Sequence, residues 1–242
     1  MPPLLSIVIP ALNEEGRLPD TLTRVSTFLQ AQSYAAEVLV VDNGSVDRTG
    51  EIAADFSRTH PNFRLLRDPR RGKGLALRLG MLAARGEYRF ICDADLSMAI
   101  EDVSRFLPPA LEGYDIAIAS REAPGAVRLG EPAYRHWIGR AFNSLVRLLA
   151  VPHFQDTQCG FKCFRGEVVE DLFGVQVLDG WTFDVEVLFI GLRRGYRIVE
   201  VPIHWTFNPG SRVSPIRDSL SMFVDLFRIR RNWRRGLYAP RP

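Results

Sequence analysis

Short apolar runs bounded by polar or glycine-containing turns recur along the first 120 residues of the chain. Runs of this length are too short for helices and indicate buried strands. The pattern predicts strands at 6–10, 38–41, 63–66, 88–92 and 116–119 and, after a longer interval, at 198–201. Between the first five runs, apolar residues recur at helical spacing. Strands that alternate with helices on this scale are typical of an α/β domain with a mainly parallel sheet.

Helices follow from the same spacing of apolar positions. They are predicted at 18–29, 52–56, 75–84, 103–111, 134–149, 183–192 and 216–233. The proline- and glycine-rich stretch Ala123–Pro132 interrupts the pattern and predicts a mobile loop. Because no internal repeat or low-complexity linker divides the chain, we expect one α/β domain over 1–210 and a basic amphipathic tail over 211–242.

The charge of the chain is concentrated at its carboxyl end. The net charge is +3, but Ser211–Pro242 contains eight arginines and two aspartates, which leaves about −3 for the first 210 residues. The tail also carries one apolar helical stripe, formed by Ile216, Leu220, Phe223, Val224 and Phe227 and extended by Met222, Leu226, Ile229 and Trp233. Arginine and tryptophan beside a wide apolar face predict a helix at a membrane interface. A helix that packs on its own domain or in a dimer is the alternative, and nucleic-acid binding is not expected because no binding fold accompanies the arginines.

Three cysteines, an odd number, argue against a disulfide framework and for a reducing compartment. The amino terminus has neither the basic region nor the long apolar run of a signal peptide. No window approaches the length of about 20 apolar residues that a membrane span needs. We therefore expect a cytoplasmic protein that contacts the cytoplasmic face of a membrane only peripherally.

Polar residues follow three of the predicted strands at the point where each strand ends. These are Asn13-Glu14-Glu15, Asp42-Asn43-Gly44-Ser45 and Asp93-Ala94-Asp95. In parallel α/β sheets, ligands bind outside the carboxyl ends of the strands. Helix capping by Asn13 and Ser45 is the simpler interpretation, but it does not explain why two of the strands end in aspartate.

Asp93 and Asp95 can present hard oxygen ligands to one divalent cation, Mg²⁺ or Mn²⁺, which usually also takes oxygens from substrate phosphates. An Asp-x-Asp-x-Ser run also resembles the start of haloacid-dehalogenase phosphatases, but there the motif follows the first strand, and here three predicted strands precede the one that it follows. A Rossmann dehydrogenase is disfavoured, because Asn13-Glu14-Glu15 stands where its Gly-x-Gly-x-x-Gly motif belongs.

Gly72-Lys73-Gly74 opens a predicted helix directly after two arginines. Glycines admit a close ligand, and a helix N-terminus favours an anion. The chain has 31 basic residues and only two of them, Lys73 and Lys162, are lysines, both in glycine-containing turns. A chain so rich in arginine is expected to keep lysine where a compact point charge is needed.

Taken in order, these motifs resemble those of the family 2 glycosyltransferases with the GT-A fold. The resemblance continues through the second half of the chain, where Ala119-Ser120-Arg121, the stretch 156–162, the stretch 181–186 and the stretch 201–205 are similar to the dolichyl-phosphate glucosyltransferases. The dolichyl-phosphate mannose synthases are the next most similar group. Nearly the whole chain is covered, and the order and spacing of the motifs are specific although each motif alone is weak.

The resemblance implies roles for the matching positions. Residues that would hold the nucleotide-sugar donor are Pro10, Ala11, Asn13, Glu14, Asp42, Ser45, Lys73 and Asp93. Asp93 and Asp95 would bind the metal, and Arg121 and Lys162 would contact the acceptor phosphate. These four are the expected catalytic residues. Ser97 stands where mannose synthases have a glutamine metal ligand, and Cys159 and Lys162 stand where they have serine and arginine, which favours the glucosyl branch.

The expected activity is inverting transfer of a hexose, glucose from UDP-glucose, to a polyprenyl or dolichyl phosphate. A GDP-mannose donor and a soluble sugar acceptor are alternatives within the same reaction class. An inactive module that binds nucleotide sugars at membranes is the alternative from another class, and the intact Asp93, Asp95 and Arg121 argue against it.

Overall fold

The computed structural model describes residues 2–208 and 215–239. Its strands are Leu5–Ala11 (β1), Ala36–Asp42 (β2), Phe63–Arg67 (β3), Tyr88–Ile91 (β4), Ile116–Ser120 (β5), Val127–Leu129 (β6), Lys162–Arg165 (β7), Ile198–Pro202 (β8) and His204–Thr206 (β9). Its α-helices are Leu18–Gln30 (α1), Thr49–Thr59 (α2), Lys73–Ala83 (α3), Ala133–Leu149 (α4), Gly166–Phe173 (α5), Phe183–Arg193 (α6) and Pro215–Arg234 (α7), with a 3₁₀ helix at Ile100–Phe106.

Seven strands form one sheet in the order β3-β2-β1-β4-β7-β5-β8. All neighbours in this sheet are parallel except β7, which runs antiparallel to both β4 and β5. The mainly parallel α/β sheet with flanking helices is therefore confirmed, and each strand predicted from an apolar run is present. Strand β7 was not predicted, because its sequence Lys-Cys-Phe-Arg is too short to show a period and becomes a strand only by pairing with its neighbours.

The helix predicted at 103–111 is wrong in type and in extent. The segment forms a 3₁₀ helix that ends at Phe106, and Pro108 and Pro109 follow it. Proline has no backbone N–H to donate and disfavours helical conformation in the residue before it. The prediction rested on the spacing of apolar residues and overlooked these two prolines as a helix stop signal.

The stretch Ala123–Pro132, predicted as a mobile loop, contains strand β6. Strand β6 pairs in parallel with β9, with Val127 opposite His204, and the two strands form a second, separate sheet. Arg128 in the centre of β6 makes ion pairs with Glu122 and Glu131 on either side of it in the chain. These contacts give the stretch a defined backbone course despite its glycines.

Helix α7 packs on α4 and α6 through one face. Met222, Leu226 and Ile229 are buried in the same apolar cluster as the residues of α6, and the Thr182 hydroxyl donates to Asp225 Oδ2 at 2.8 Å. These apolar residues are the ones that the sequence treated as an extension of the stripe. The carboxylate of Asp225 is buried on this same face, against Thr182.

The stripe itself lies on the other side of α7. Leu220, Val224 and Phe227 are half or more exposed. The side chain of Ile216 and the residues 209–214 and 240–242, which include Arg212 and Arg241, lie outside the described residues. Helix α7 packs on the rest of the chain through its buried face, and the stripe lies on the opposite, exposed face. The division of the chain into a domain and a tail at residue 210 stays a prediction.

Candidate active site

A cavity of about 680 Å³ opens at the carboxyl ends of β1 and β4. Residues that follow these strands, Glu14 and Asp95 among them, form one side of the cavity. Helix α4 forms another wall and contributes Phe142 and Arg147. The parallel strands thus deliver their polar ends to one edge of the sheet, as the sequence predicted.

Six of the predicted site residues line this cavity. They are Pro10, Glu14, Lys73, Asp93, Asp95 and Arg121. The other five do not line it: Ala11, Asn13, Asp42, Ser45 and Lys162. Several lining residues were not predicted, among them Asn43, Arg71, Trp181 and Asp184.

Asp93 and Lys73 form an ion pair in the wall of the cavity. Lys73 Nζ lies 2.7 Å from Asp93 Oδ1 and 5.2 Å from the centre of the Trp181 ring. Burial lowers the pKa of Lys73, but the nearby carboxylates Asp93, Asp184 and Asp95 outweigh it and raise that pKa above its usual value. The lysine is therefore positively charged at neutral pH and lies among three carboxylates.

Gly160 is required by the position of Asp93. A Cβ atom built on Gly160 would overlap Asp93 Oδ2 and also lie 2.5 Å from Asp93 Cγ. Both atoms belong to the carboxyl group that ends β4, so no larger residue fits beside it. The sequence pattern gave no sign of this contact, because Gly160 and Asp93 lie 67 positions apart in the chain.

The glycines around Lys73 admit another part of the chain at close range, and Gly72 also lines the cavity. Gly72 has a φ of +152°, and a Cβ there would overlap the backbone oxygen of Asp179. A Cβ on Gly74 would lie 2.5 Å from the backbone oxygen of Leu178. The segment around Asp179 thus packs closely on the start of α3 and fixes the backbone of Lys73.

The cavity offers a divalent cation two carboxylates. Asp95 Oδ1 accepts a hydrogen bond from the Ser97 backbone N–H at 3.0 Å, which leaves its second oxygen for another ligand. Among the described residues, no group of three or more His, Cys, Asp or Glu side chains could hold a metal. Hard oxygens in this number fit Mg²⁺ or Mn²⁺, which complete their coordination with water and substrate phosphates.

The predicted residues at the ends of β1 and β2 bind each other. The Asn13 backbone N–H donates to Ser45 Oγ at 2.9 Å, and Asn13 Oδ1 accepts from the Val46 backbone N–H at 2.8 Å. Asp42 Oδ1 accepts from the Ser45 backbone N–H at 3.1 Å. These contacts join the two loops into one rim beside the cavity, and contact of Asp42 with a nucleotide stays a prediction.

Arg121 lies between a buried carboxylate and an aromatic ring. Its Nε and Nη2 donate to Asp156 at 2.6 and 2.9 Å, and its guanidinium lies 5.3 Å from the centre of the Trp205 ring. Burial alone would raise the pKa of Asp156, but Arg121 lowers it to about 2. Asp156 in turn raises the pKa of Arg121, although burial alone would lower it. Arg121 is therefore held rigidly at the cavity surface.

Lys162 lies below the cavity and not in it. Its side chain is 2% exposed, its Nζ lies 2.7 Å from Asp184 Oδ1, and it donates to the backbone oxygen of Cys159. Burial raises the pKa of Asp184, and Lys162 opposes that rise. Strand β7, which the sequence did not reveal, places Lys162 in the middle of the sheet. Lys162 thus contacts Asp184, which does line the cavity, and the expected contact of Lys162 with an acceptor phosphate stays a prediction.

Arginines of α4 and β6 line the same cavity as the aspartates and were not predicted. Arg128 is neutralised by Glu122 and Glu131. Arg135 and Arg147 have no acidic partner within the described part of the chain. The sequence signal was present as basic residues within the predicted helix 134–149, but only its apolar face was considered.

The three cysteines are buried and free. Burial raises the pKa of Cys159 to about 11 and that of Cys163 to about 12. Thiols with such pKa values stay protonated at neutral pH and are poor nucleophiles and metal ligands. Catalysis by these cysteines is therefore disfavoured.

Comparison with known proteins decides the family. The model of glycosyl transferase family 2 matches residues 6–173. The chain belongs to glycosyltransferase family 2. It is 36% identical to the dolichyl-phosphate β-glucosyltransferase of Drosophila melanogaster over 93% of this chain and 74% of that protein. The enzymes of the same name from Dictyostelium discoideum and Homo sapiens are each 32% identical over 97% of this chain and 76% and 77% of theirs.

Solved structures show the same fold. Glucosyl-3-phosphoglycerate synthase from Mycobacterium tuberculosis, in complex with Mn²⁺, UDP-glucose and phosphoglyceric acid, superposes with a TM-score of 0.65 at 19% identity, covering 94% of this chain and 78% of that one. A mannosyltransferase from Pyrobaculum calidifontis in complex with GDP-mannose and Mn²⁺ gives a TM-score of 0.55 at 21% identity, covering 88% and 59%. The expected family and GT-A fold are thus confirmed.

Proposed function

We propose that this family 2 glycosyltransferase moves glucose from UDP-glucose to the phosphate of a polyprenyl or dolichyl lipid, with inversion at the anomeric carbon. The observation that carries the proposal is one cavity that is lined both by the two carboxylates that follow β4 and by arginines from other elements. Asp93 and Asp95 are these carboxylates, and Arg121, Arg135 and Arg147 line the same cavity. The named activity of its relatives, at 32 to 36% identity, supports both the sugar and the acceptor.

The donor would occupy the side of the cavity formed by the ends of β1, β2 and β4. Pro10, Glu14 and Asn43 line this side, and Asp42 stands just behind it. Asp93 and Asp95 would hold Mg²⁺ or Mn²⁺. A bound divalent cation supplies stabilisation of the negative charge that develops on the leaving diphosphate.

Lys73 begins α3, so its ammonium group and the N-terminus of that helix both favour an anion at the same place. We assign the leaving diphosphate to this position.

The acceptor phosphate would lie against the arginines. The second pKa of a phosphate monoester is about 6, so the nucleophile is mostly ionised at neutral pH and needs no strong general base. A phosphate oxygen attacks the anomeric carbon while the bond from that carbon to the UDP oxygen breaks, which gives a β-linked product from an α-linked donor. Arg121, fixed by Asp156, would orient the acceptor and screen its charge from the diphosphate. Arg135 and Arg147 provide positive charge not neutralised by acidic partners within the described residues.

A membrane surface is the source of the lipid acceptor in this proposal. No helix within the described residues has the length and apolar character to cross a bilayer. The neighbouring helices α4 and α7 instead expose large apolar side chains, which include Trp137, Leu148, Leu220 and Phe227. Helix α4 also lines the cavity, so the face that would touch the lipid adjoins the proposed acceptor site. We place this contact on the cytoplasmic side of the membrane.

The test is transfer of labelled glucose from UDP-glucose to a polyprenyl phosphate in vesicles, with GDP-mannose as the competing donor and a soluble sugar phosphate as the competing acceptor. Lipid-linked product that requires both UDP-glucose and a divalent cation supports the proposal. Faster turnover with GDP-mannose or with the soluble acceptor identifies one of the alternative transferases. Binding of UDP-glucose without turnover of any acceptor would identify an inactive module.

A further inference from the structure

The ammonium group of Lys73 lies among the carboxylates proposed to hold the metal. It is 2.7 Å from Asp93 Oδ1, and Asp95 and Asp184 also act on it electrostatically. The side chain is 17% exposed, so little water screens these interactions. One positive charge therefore already compensates the group of carboxylates without any bound ion.

A divalent cation on Asp93 would lie close to this ammonium group and be repelled by it. Two charges of the same sign a few ångströms apart oppose each other by about 1 kcal/mol or more even in water, and the effect doubles for a divalent ion. Metal and ammonium group thus compete for Asp93. The competition ends if another anion draws Lys73 away from that carboxylate.

The backbone of Lys73 is fixed while its side chain is long. Close packing of Asp179 on Gly72 holds the start of α3, as described above. A lysine side chain has a flexible stem of four methylene carbons and a compact charge, so its ammonium group can change partner without any backbone movement. The helix N-terminus beside it is where a diphosphate would bind.

We propose that Lys73 is a built-in counter-ion that keeps metal affinity low until the donor arrives, and then transfers from Asp93 to the diphosphate. The inference rests on the proposed function, since it takes the donor to be a nucleoside diphosphate sugar. Its consequence is that metal and nucleotide bind with strong positive coupling, each raising the affinity for the other by the same factor. Free metal and free nucleotide would each bind weakly.

The experiment measures Mn²⁺ binding by electron paramagnetic resonance, with and without UDP, so that no turnover is involved. In the absence of UDP, Lys73→Gln is expected to bind Mn²⁺ about tenfold more tightly than the wild type, because the repelling charge is gone while the side chain stays polar. Addition of UDP should strengthen Mn²⁺ binding about tenfold less in this variant than in the wild type. Lys73→Arg, which keeps the charge, should behave like the wild type.

The matched control is Arg71→Gln. Arg71 lines the same cavity but makes no ion pair with Asp93 or Asp95 within the described residues. Equal Mn²⁺ affinities for wild type, Lys73→Gln and Arg71→Gln without UDP would overturn the inference. So would an equal increase of Mn²⁺ affinity over the wild type in both variants. Absence of Mn²⁺ binding by every protein even with UDP would instead contradict the proposed metal site. Thermal unfolding of each variant verifies that the compared proteins are folded.

Discussion

Lys162 Nζ lies 2.7 Å from Asp184 Oδ1, and both side chains are almost fully buried. A buried charge that loses its partner typically costs about 3–5 kcal/mol of folding free energy. We expect Lys162→Met to lower the free energy of unfolding by about that amount and to reduce activity. The double variant Lys162→Met/Asp184→Asn, which removes both charges, should recover most of the stability in urea unfolding.

The same experiment separates support from direct contact. If Lys162 touched the acceptor phosphate, Lys162→Met would raise the KM for the acceptor without a large loss of stability, and the double variant would be no more stable than the single one. Recovery of stability without recovery of activity would show that the charged pair serves activity as well as folding, and Asp184→Asn alone then tests the member of the pair that lines the cavity.

Gly160→Ala should displace the carboxyl group of Asp93, because the added Cβ would occupy the same space. We expect turnover to fall about 100-fold or more, since small displacements of a catalytic group carry costs of this size. Affinity for Mn²⁺ in the presence of UDP should fall with it. Gly16→Ala is the matched control, because a Cβ there meets nothing within 4 Å, and it should keep wild-type kinetics. Normal turnover by Gly160→Ala would show that Asp93 is not needed in its present position.

Acid should weaken the fold through Asp156. Its folded pKa is lowered to about 2 from the ordinary value of 3.8, so the stabilisation is present above pH 4 and is lost as the pH falls towards 2. The shift corresponds to about 2 kcal/mol. Unfolding in urea at a series of pH values should show this loss in the wild type. Asp156→Asn should be less stable at every pH, because Arg121 loses its charged partner, and its free energy of unfolding should fall less steeply with pH between 4 and 2. An equal dependence on pH in wild type and variant would refute the assignment to Asp156.

Membrane contact through α7 predicts a loss of vesicle binding from Val224→Ser/Phe227→Ser. Both side chains are half or more exposed, so the free energy of unfolding should change little while binding to anionic vesicles weakens. Added salt should weaken binding by the wild type, because surface charges are screened over about 8–10 Å. The comparison is Met222→Ser on the buried face of the same helix, which should lose stability. Unchanged vesicle binding by the double variant would move the contact to α4, where Trp137→Ser/Leu148→Ser tests it.

Local patterns predicted which strand ends would meet at the cavity. Glu14, Asp93 and Asp95 each follow a strand that its own apolar run reveals, and the geometry of parallel strands then brings them to one edge of the sheet. No long-range information was needed for this step. The resemblance between the motifs and the family added the expected chemistry, and the family is confirmed.

The acceptor side depended on contacts between distant parts of the chain. Strand β7 has no pattern of its own, so the burial of Lys162 beside Asp184 could not be read from the sequence. Helix α7 is apolar on two sides, and periodicity cannot tell which side packs on the body. The structure resolves this, because Leu226 is buried while Phe227, the next residue, is exposed.

The small sheet of β6 and β9 stands apart from the seven-stranded sheet. It carries Arg128 and Trp205 to the cavity, and Trp205 packs between Arg128 and Arg121. The Thr206 backbone N–H of β9 also donates to the Ser97 backbone oxygen at 2.9 Å, and the Ser97 backbone N–H donates to Asp95. A graft of a different β6–β9 pair would therefore have to keep this bond, because the same two strands that shape the arginine side of the cavity also brace the loop of the two aspartates.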